Sequence, residues 1–300
     1  PVLAAGCTAV IKPDPRTPLS ALALGTILTD AGFPAGAVNV LVSGDPGRVA
    51  KQLCEHPDIS GLSFTGSTRV GHIIAQQAGV KSVTLELGGC APFVLFADCR
   101  DLEAAVRDAV QSRLRHAGQT CICVNRLLVE RSVYEEVMRL VRMEMGKVKI
   151  GHQLDPETTL GPLINRESAD RIRGVAGGLG AETIGEAEGN YAAPAIVTTA
   201  LKEEIFGPVL SITSFNDTED AIRLANSTPY GLAAYLYTTD VDKIERAKAA
   251  LRTGMLAVNT TALSAPDAVF GGVGASGHGR EGDARFAVRE YQYPKYIVGE

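Results

Sequence analysis

The sequence predicts an α/β fold: a doubly wound, mostly parallel sheet followed by a second α/β domain. Three observations carry that expectation. From Thr8 to about residue 100, short β-rich runs alternate with helical patterns, the signature of βαβ units. Helix-start signals such as Thr17-Pro18 and Asp101 stand where the hydrophobic period changes. The length of 300 residues, at roughly 150 per domain, allows two domains with sizeable cores.

Thr8-Ala9-Val10-Ile11-Lys12 reads as the first strand. Thr17 is then an N-cap with Pro18 at the first helical position, and Leu19, Leu22, Ala23 and Ile27 recur at helical spacing until Gly32 ends the helix. A strand over 38–42, a helix over 46–55, a strand over 59–64, a helix over 68–78 and a strand over 82–86 continue the alternation. After Gly88-Gly89 come a strand at 93–96 and a helix capped by Asp101 that carries Leu102, Ala105, Val106, Ala109 and Val110. Residues 174–190 are rich in Gly and Ala with little periodicity and read as a loop or degraded helix. Helices near 217–226 and 240–251, a strand over 255–259 and a glycine-dense loop over 271–282 follow.

Composition excludes several classes. Twenty-nine Lys and Arg against 34 Asp and Glu give a net charge of −5, and no basic block could track a phosphate backbone, so nucleic acid is not the expected partner. No apolar run reaches the roughly 18 residues a membrane helix needs, so no membrane partner is expected. The six cysteines form no paired CxxC motif, which suits free thiols in a reducing, cytoplasmic compartment. The chain enters at Pro1 without a starting Met or a charged stretch ahead of its apolar residues, so the opening does not read as a signal peptide and is expected to be that of a processed chain or of a fragment cut within a domain.

Ligands of parallel sheets gather at the carboxyl ends of strands, which directs attention to Lys12, the turn Thr65-Gly66-Ser67-Thr68 and Glu86. Backbone N–H groups and the Ser67 hydroxyl could face a phosphate at that turn; His72 after Gly71 rejects a Walker motif, and an ordinary strand-to-helix turn is the alternative. Glu86 ends an apolar strand, where desolvation would suit a general base; a solvated strand-end carboxylate is the plain reading. Cys121, after Gly118-Gln119-Thr120, is either an accessible nucleophile or a core thiol, and Cys123 a core residue or redox neighbour. Their spacing, with His116, is not that of a structural zinc site, so no metal is expected. Arg113, Arg115 and His116 read as a solvated helix face, and Glu203-Glu204 as a solvated pair at a turn.

Taken together, Phe64-Thr65-Gly66-Ser67, Leu85-Glu86-Leu87-Gly88-Gly89, Gly118-Gln119-Thr120-Cys121 and Glu204-Ile205-Phe206-Gly207-Pro208 resemble, in order and spacing, the aldehyde dehydrogenase superfamily. Arg115 ahead of the cysteine motif and Ser264 ahead of Phe270-Gly271-Gly272 make the chain most similar to its succinate-semialdehyde dehydrogenase branch. The resemblance implies a partial NAD(P)-binding domain over 1–87, a catalytic domain over 88–275, and a return segment with a C-terminal oligomerisation arm over 276–300. It implies Cys121 as nucleophile and Glu86 as the base that activates water. It further implies Lys12, Gly66, Ser67, Glu204 and Phe206 around NAD or NADP, Arg115 and Ser264 around the carboxylate of a small aldehyde substrate, and Cys123 as a redox partner of the nucleophile. A homo-oligomer of the complete protein is implied as well.

The sequence also departs from the family pattern. Pro15 stands where NAD-preferring relatives place Glu, leaving Arg16 to meet a 2′-phosphate; Val269 and His278 are further departures, and the 174–200 region reads as shortened. The family's oxyanion asparagine and a second substrate arginine would lie ahead of Pro1. The alternative to an enzyme is therefore a catalytically silent truncated remnant acting as a binding or interaction module.

Overall fold

The computed structural model describes residues 1–299 and divides into two compact units. The first comprises Pro1–Glu86, Ala265–Phe270 and the chain from His278 onward; the second comprises Leu87–Ser264 and Gly271–Gly277.

In the first unit, β1 (Ala9–Ile11), α1 (Leu19–Asp30) and β2 (Val38–Val40) form a βαβ unit with β1 parallel to β2. Pro18 sits at the N-cap rather than inside the helix, so α1 begins one residue later than the Thr17-Pro18 signal predicts. None of its residues is buried: Leu19 is 77% and Ile27 61% exposed, so the apolar spacing that predicts a core face here does not produce one. Next, α2 (Pro46–Glu55), β3 (Gly61–Thr65), α3 (Thr68–Ala78) and β4 (Ser82–Glu86) follow the predicted pattern closely, with β3 and β4 parallel. Asp45 and Ser67 accept from the N–H groups of Arg48 and Val70, which fixes where both helices start. No ladder joins the β1–β2 pair to the β3–β4 pair among the described residues, so the single sheet expected for this stretch is divided between a two-stranded sheet holding β1 and β2 and a three-stranded sheet holding β3 and β4. A short antiparallel pair, Val269–Phe270 with Glu281–Gly282, completes the unit.

The second unit is built on a seven-stranded sheet. In chain order its elements are β5 (Ala91–Leu95), α4 (Leu102–Leu114), β6 (Val124–Glu130), α5 (Tyr134–Gly146), α6 (Arg166–Gly178), β7 (Glu182–Thr183), β8 (Ala195–Val197), β9 (Val209–Phe215), α7 (Thr218–Ala225), the two-residue β10 (Tyr230–Gly231), β11 (Ala233–Tyr237), α8 (Val241–Ala250) and β12 (Met255–Val258). The strand order is β12-β11-β5-β6-β9-β8-β7, all parallel except β7. The chain starts in the middle at β5, winds outward one way through β6 and β9, and returns to build β11 and β12 on the other side; the doubly wound order, expected of the first domain, is thus found in this second α/β unit.

Every residue of β5 and β11 is buried, as central parallel strands covered on both faces require. On one face Phe93 stacks on Tyr237 with centroids 4.5 Å apart, and the Tyr237 hydroxyl donates to Asp108 of α4 at 2.7 Å. On the other face Val94, Phe96, Leu128, Phe215 and Leu236 pack with Ala221 and Ala225 of α7 and Ala247 of α8. Full burial of each such large side chain contributes about 1.5–3 kcal/mol. Arg126, also buried, donates to the carbonyls of Cys90, Leu224 and Ala225, tying the end of α7 to the start of β5.

Of the glycine-rich stretch 174–190, read as a loop or degraded helix, the first part to Gly178 is the end of α6 and most of the remainder is irregular. Asn165 caps that helix at the Ser168 N–H, 2.8 Å, and Ala169, Ile172 and Ala176 are buried on one side. Tertiary packing outweighs the weak helix propensity of Gly174, Gly177 and Gly178. Among the described residues of the arm expected at 295–300, none lies in a strand; Glu300 falls outside the described residues. No helix among the described residues is long and apolar enough to cross a membrane, and no three His, Cys, Asp or Glu side chains gather as a metal site would need.

Candidate active site

The expected nucleophile follows an unusual turn. After α4 the chain enters a tight turn, Arg115–Gly118, in which His116 (φ 49°), Ala117 (φ 55°) and Gly118 (φ 76°) are all left-handed. Each non-glycine residue in that conformation costs about 1–2 kcal/mol, so surrounding contacts must hold the turn. The Gln119 backbone and side-chain N–H groups both donate to the His116 carbonyl, at 3.1 and 2.9 Å, while Gln119 Oε1 accepts from Ile164 at 3.0 Å. Arg113 Nη2 donates to the Gly118 carbonyl at 2.5 Å. Cys121 comes next, half-buried in the turn leading to β6. Beyond it, the Tyr235 hydroxyl donates to the Ile122 carbonyl at 2.7 Å, and the buried Cys123 thiol donates to the Arg115 carbonyl at 3.8 Å.

Gly89 explains why glycine stands in the Gly88-Gly89 pair: a Cβ there would lie 2.2 Å from the Cys121 carbonyl oxygen. Its N–H donates to Glu204 Oε1 at 3.1 Å, and its carbonyl accepts from Asn125 Nδ2 at 3.4 Å. Asn125 Oδ1 in turn accepts from the Ile205 N–H at 3.1 Å. A Cβ on Gly118 would lie 2.3 Å from the Gly207 carbonyl oxygen. Three motifs far apart in sequence, at Gly88-Gly89, Gly118–Cys121 and Glu204–Gly207, therefore meet within the second unit. Glu204 is half-buried, and desolvation raises its pKa against the Gly89 N–H, Arg113 and Arg171, which lower it. Phe206 beside it is 38% exposed.

These loops precede β5, β6 and β9, so they gather at the amino ends of the strands, whereas Lys12, the Thr65–Thr68 turn and Glu86, to which the carboxyl-end rule pointed, do lie at the carboxyl ends of β1, β3 and β4. Arg113 also departs from expectation: grouped with Arg115 and His116 as a solvated face, it is 0% exposed, while the other two are exposed. Its spacing from Val106 and Val110 is the signal that places it on the buried stripe of α4. Asn125 is the other residue the sequence reading does not single out, because a buried amide leaves no periodic trace.

In the first unit Glu86 ends β4 with 3% exposure, and neither carboxylate oxygen has a hydrogen-bond partner. Burial, reinforced by the nearby negative charge of Glu281 and opposed by Arg280, pushes its pKa up from 4.5 to about 7. Thr65 pairs with Glu86 across the ladder, and the Gly66 N–H donates to the Glu86 carbonyl at 3.0 Å, so the Gly66-Ser67 turn adjoins it. Ser67 is exposed at the N-cap of α3, where its hydroxyl accepts from the Val70 N–H. Lys12 follows β1 and donates from Nζ to the Pro13 carbonyl at 3.1 Å. Arg16 lies bidentate on Asp14, at 2.9 and 2.8 Å, and holds the Asp14 pKa down to about 2, so the arginine expected to meet a 2′-phosphate is already paired. Ser264 is exposed beyond β12, and no hydrogen bond joins it to Arg115.

Known proteins with this arrangement are similar along almost the whole chain. The family model described as "Aldehyde dehydrogenase family" matches residues 1–297. A succinate-semialdehyde dehydrogenase [NADP(+)] of Escherichia coli is 42% identical over 313 aligned residues, covering 99% of this chain and 64% of that protein. A glutarate-semialdehyde dehydrogenase of Pseudomonas putida is 40% identical, covering 99% of this chain and 64% of that protein. The crystal structure of succinate-semialdehyde dehydrogenase from Burkholderia pseudomallei superposes with a TM-score of 0.92 at 39% identity, covering 97% of this chain and 63% of that one. The chain thus spans just under two thirds of the length of these relatives, and across that span it belongs to the aldehyde dehydrogenase family.

Proposed function

We propose that the protein oxidises a small aldehyde to a carboxylic acid with NAD or NADP, through a thiohemiacetal and then a thioester on Cys121. The observation that carries this reading is the junction at Gly89, where the Cys121 backbone, Glu204 and Asn125 converge. A bound nicotinamide supplies the hydride acceptor that turns the thiohemiacetal into the thioester. Glu204 and Lys12 hold ribose hydroxyls, Gly66 and Ser67 the pyrophosphate, and Phe206 packs beside the nicotinamide ribose. The half-buried Glu204 fixed by Gly89 and the exposed N-cap at Ser67 fit these tasks. Glu86, with a pKa of about 7, takes the proton of the water that hydrolyses the thioester and releases it again near neutrality.

The substrate in this reading is succinic semialdehyde, its distal carboxylate received by Arg115 and Ser264. The relatives named above act on semialdehydes, and both side chains are exposed, as a substrate contact requires. Residues 1–87 serve cofactor binding, 88–275 catalysis, and the arm assembles a homo-oligomer; exposed Tyr296, Ile297 and Val298 support that last role. The test is formation of reduced cofactor by the intact protein with succinic semialdehyde and with a neutral aldehyde of equal length, using NAD and NADP. Turnover abolished by Cys121→Ser is expected. Near-normal turnover in that variant would make Cys121 structural and overturn the reading.

A further inference from the structure

Two buried arginines flank the cysteine loop, and they are satisfied very differently. Arg126 spends its guanidinium on three backbone carbonyls and the Ser227 hydroxyl, which accounts for it as a structural clamp. Arg113, equally inaccessible, makes one hydrogen bond, to Gly118, and its Nε and Nη1 have no partner. A cation buried with two idle donors is expensive unless its charge is used, since a hydrophobic side chain of similar size would fill the same space. Its location indicates the use. Arg113 Nη2 would lie 2.6 Å from a Cβ on Gly118, which itself would lie 2.3 Å from the Gly207 carbonyl oxygen. The guanidinium therefore sits under the crossing of the cysteine loop and the Glu204–Gly207 loop.

Resting on the reading of Glu204 as a cofactor ligand, we propose that Arg113 is a positioning residue: it fixes the left-handed turn before Cys121 and supplies the positive charge that keeps the neighbouring Glu204 ionised for the cofactor's ribose. The groups facing Glu204 are Arg113 from α4, Arg171 from α6, the Gly89 N–H, the Cys90 thiol and Tyr230. Burial pushes the thiol up to about 11 and raises the phenol, so both are neutral between pH 6 and 9. The two arginines are then the only charges among these groups that oppose the desolvation of Glu204, and Arg113 is the buried one.

The experiment measures NADH and NADPH binding to the intact protein by cofactor fluorescence from pH 6 to 9, for the wild type, Arg113→Met, Arg113→Gln, Arg113→Lys and Glu204→Gln. The wild type and Arg113→Lys should give a flat profile. Arg113→Met should bind about tenfold more weakly at pH 6 and recover toward pH 9, because losing the adjacent cation raises a carboxyl pKa by about 1–3 and only the ionised fraction binds well. Arg113→Gln keeps an N–H donor without the charge; the same sloping profile is expected, and it serves if the Met variant does not fold. A loss equal at every pH in both neutral variants, or a slope in Arg113→Lys, would reduce Arg113 to packing and overturn the inference. If Glu204→Gln binds both cofactors as the wild type does, the ribose reading of Glu204 falls, and this inference with it. Weaker but pH-independent binding in Glu204→Gln, beside sloping Met and Gln profiles, is the result expected if both stand.

Discussion

Replacing Glu86 by Gln should change how stability depends on pH. The folded protein holds this carboxyl at a pKa of about 7, against 4.5 for the ordinary acid, because both oxygens are buried without partners and Glu281 adds negative charge. A folded-state pKa above the unfolded value means that folding takes up a proton between the two. Stability linked to Glu86 is therefore fully present below about pH 4.5, declines as pH rises, and is lost above about pH 7. At 1.36 kcal/mol per tenfold, the interval corresponds to about 3 kcal/mol at most. Glutamine cannot ionise, but it buries an amide that lacks partners and so carries its own cost of about 1–3 kcal/mol, the same at every pH. The informative quantity is thus the change in the difference between the two proteins from pH 5 to pH 8. Glu86→Gln should gain on the wild type by about 2–3 kcal/mol across that range, while Glu281 titrates in both proteins and largely cancels. Urea unfolding of the cofactor-free protein followed by circular dichroism measures it. Parallel stability curves from pH 5 to 8 would show that Glu86 is hydrated and ordinary, and its fitness as a base near neutrality would go with that result.

Other expectations follow from the site. Glu86→Gln should keep a burst of reduced cofactor while losing steady-state turnover by about 10²–10⁴-fold, since a base is needed only for hydrolysis; simultaneous loss of both phases would assign it another role. Arg115→Ala should weaken succinic semialdehyde by about 2–5 kcal/mol if the carboxylate pocket is dry and leave a neutral aldehyde of equal length nearly unaffected; equal losses in kcat/KM would refute the pocket. Peroxide should inactivate the wild type reversibly, with recovery in a dithiol, and Cys123→Ala should remove that recoverable phase; loss that no dithiol restores, with Cys123 intact, would point to over-oxidation of Cys121. Gly89→Ala should abolish turnover, because a methyl group would collide with the Cys121 carbonyl 2.2 Å away; normal kinetics would mean that the two loops do not meet as described.

What the sequence reveals depends on whether local chemistry decides the structure. The helices α2 and α3 are legible to the residue because Asp45 and Ser67 cap them, and β4 because the Gly88-Gly89 pair follows soon after its end. The strands β6, β9 and β11 and the helix α5 are not among the elements the pattern yields; β11 is a continuous buried run, and β6 and β9 bury polar residues such as Asn125, Arg126 and Ser211 among apolar ones, so none of the three shows a clean two-residue period. The helix α6 hides behind its glycines. Glu86 and Cys121 stand out locally and Glu204 as part of a spaced motif, the burial of Arg113 is legible in its helical spacing from Val106 and Val110, and only the role of Asn125 waits until Gly89 and Ile205 are brought to it in space.

The proposed nucleophile and Glu204 lie at the amino ends of β6 and β9, where the electrostatics differ from those at the carboxyl ends of a parallel sheet. At the carboxyl ends, following helices present N-termini whose partial positive charge welcomes anions. At the amino end of β6 the preceding helix is α4, and it arrives with its C-terminus, whose partial negative charge opposes both a carboxylate and the oxyanion of a tetrahedral intermediate. The chain answers with fixed donors and a cation at that point. Gly89 turns its N–H to Glu204, and Arg113, in the last turn of α4, sets a positive charge against that helix end and takes up the Gly118 carbonyl beyond it. A helix C-terminus offset by a buried arginine is thus the local condition under which Glu204 can remain an anion beside the cysteine loop.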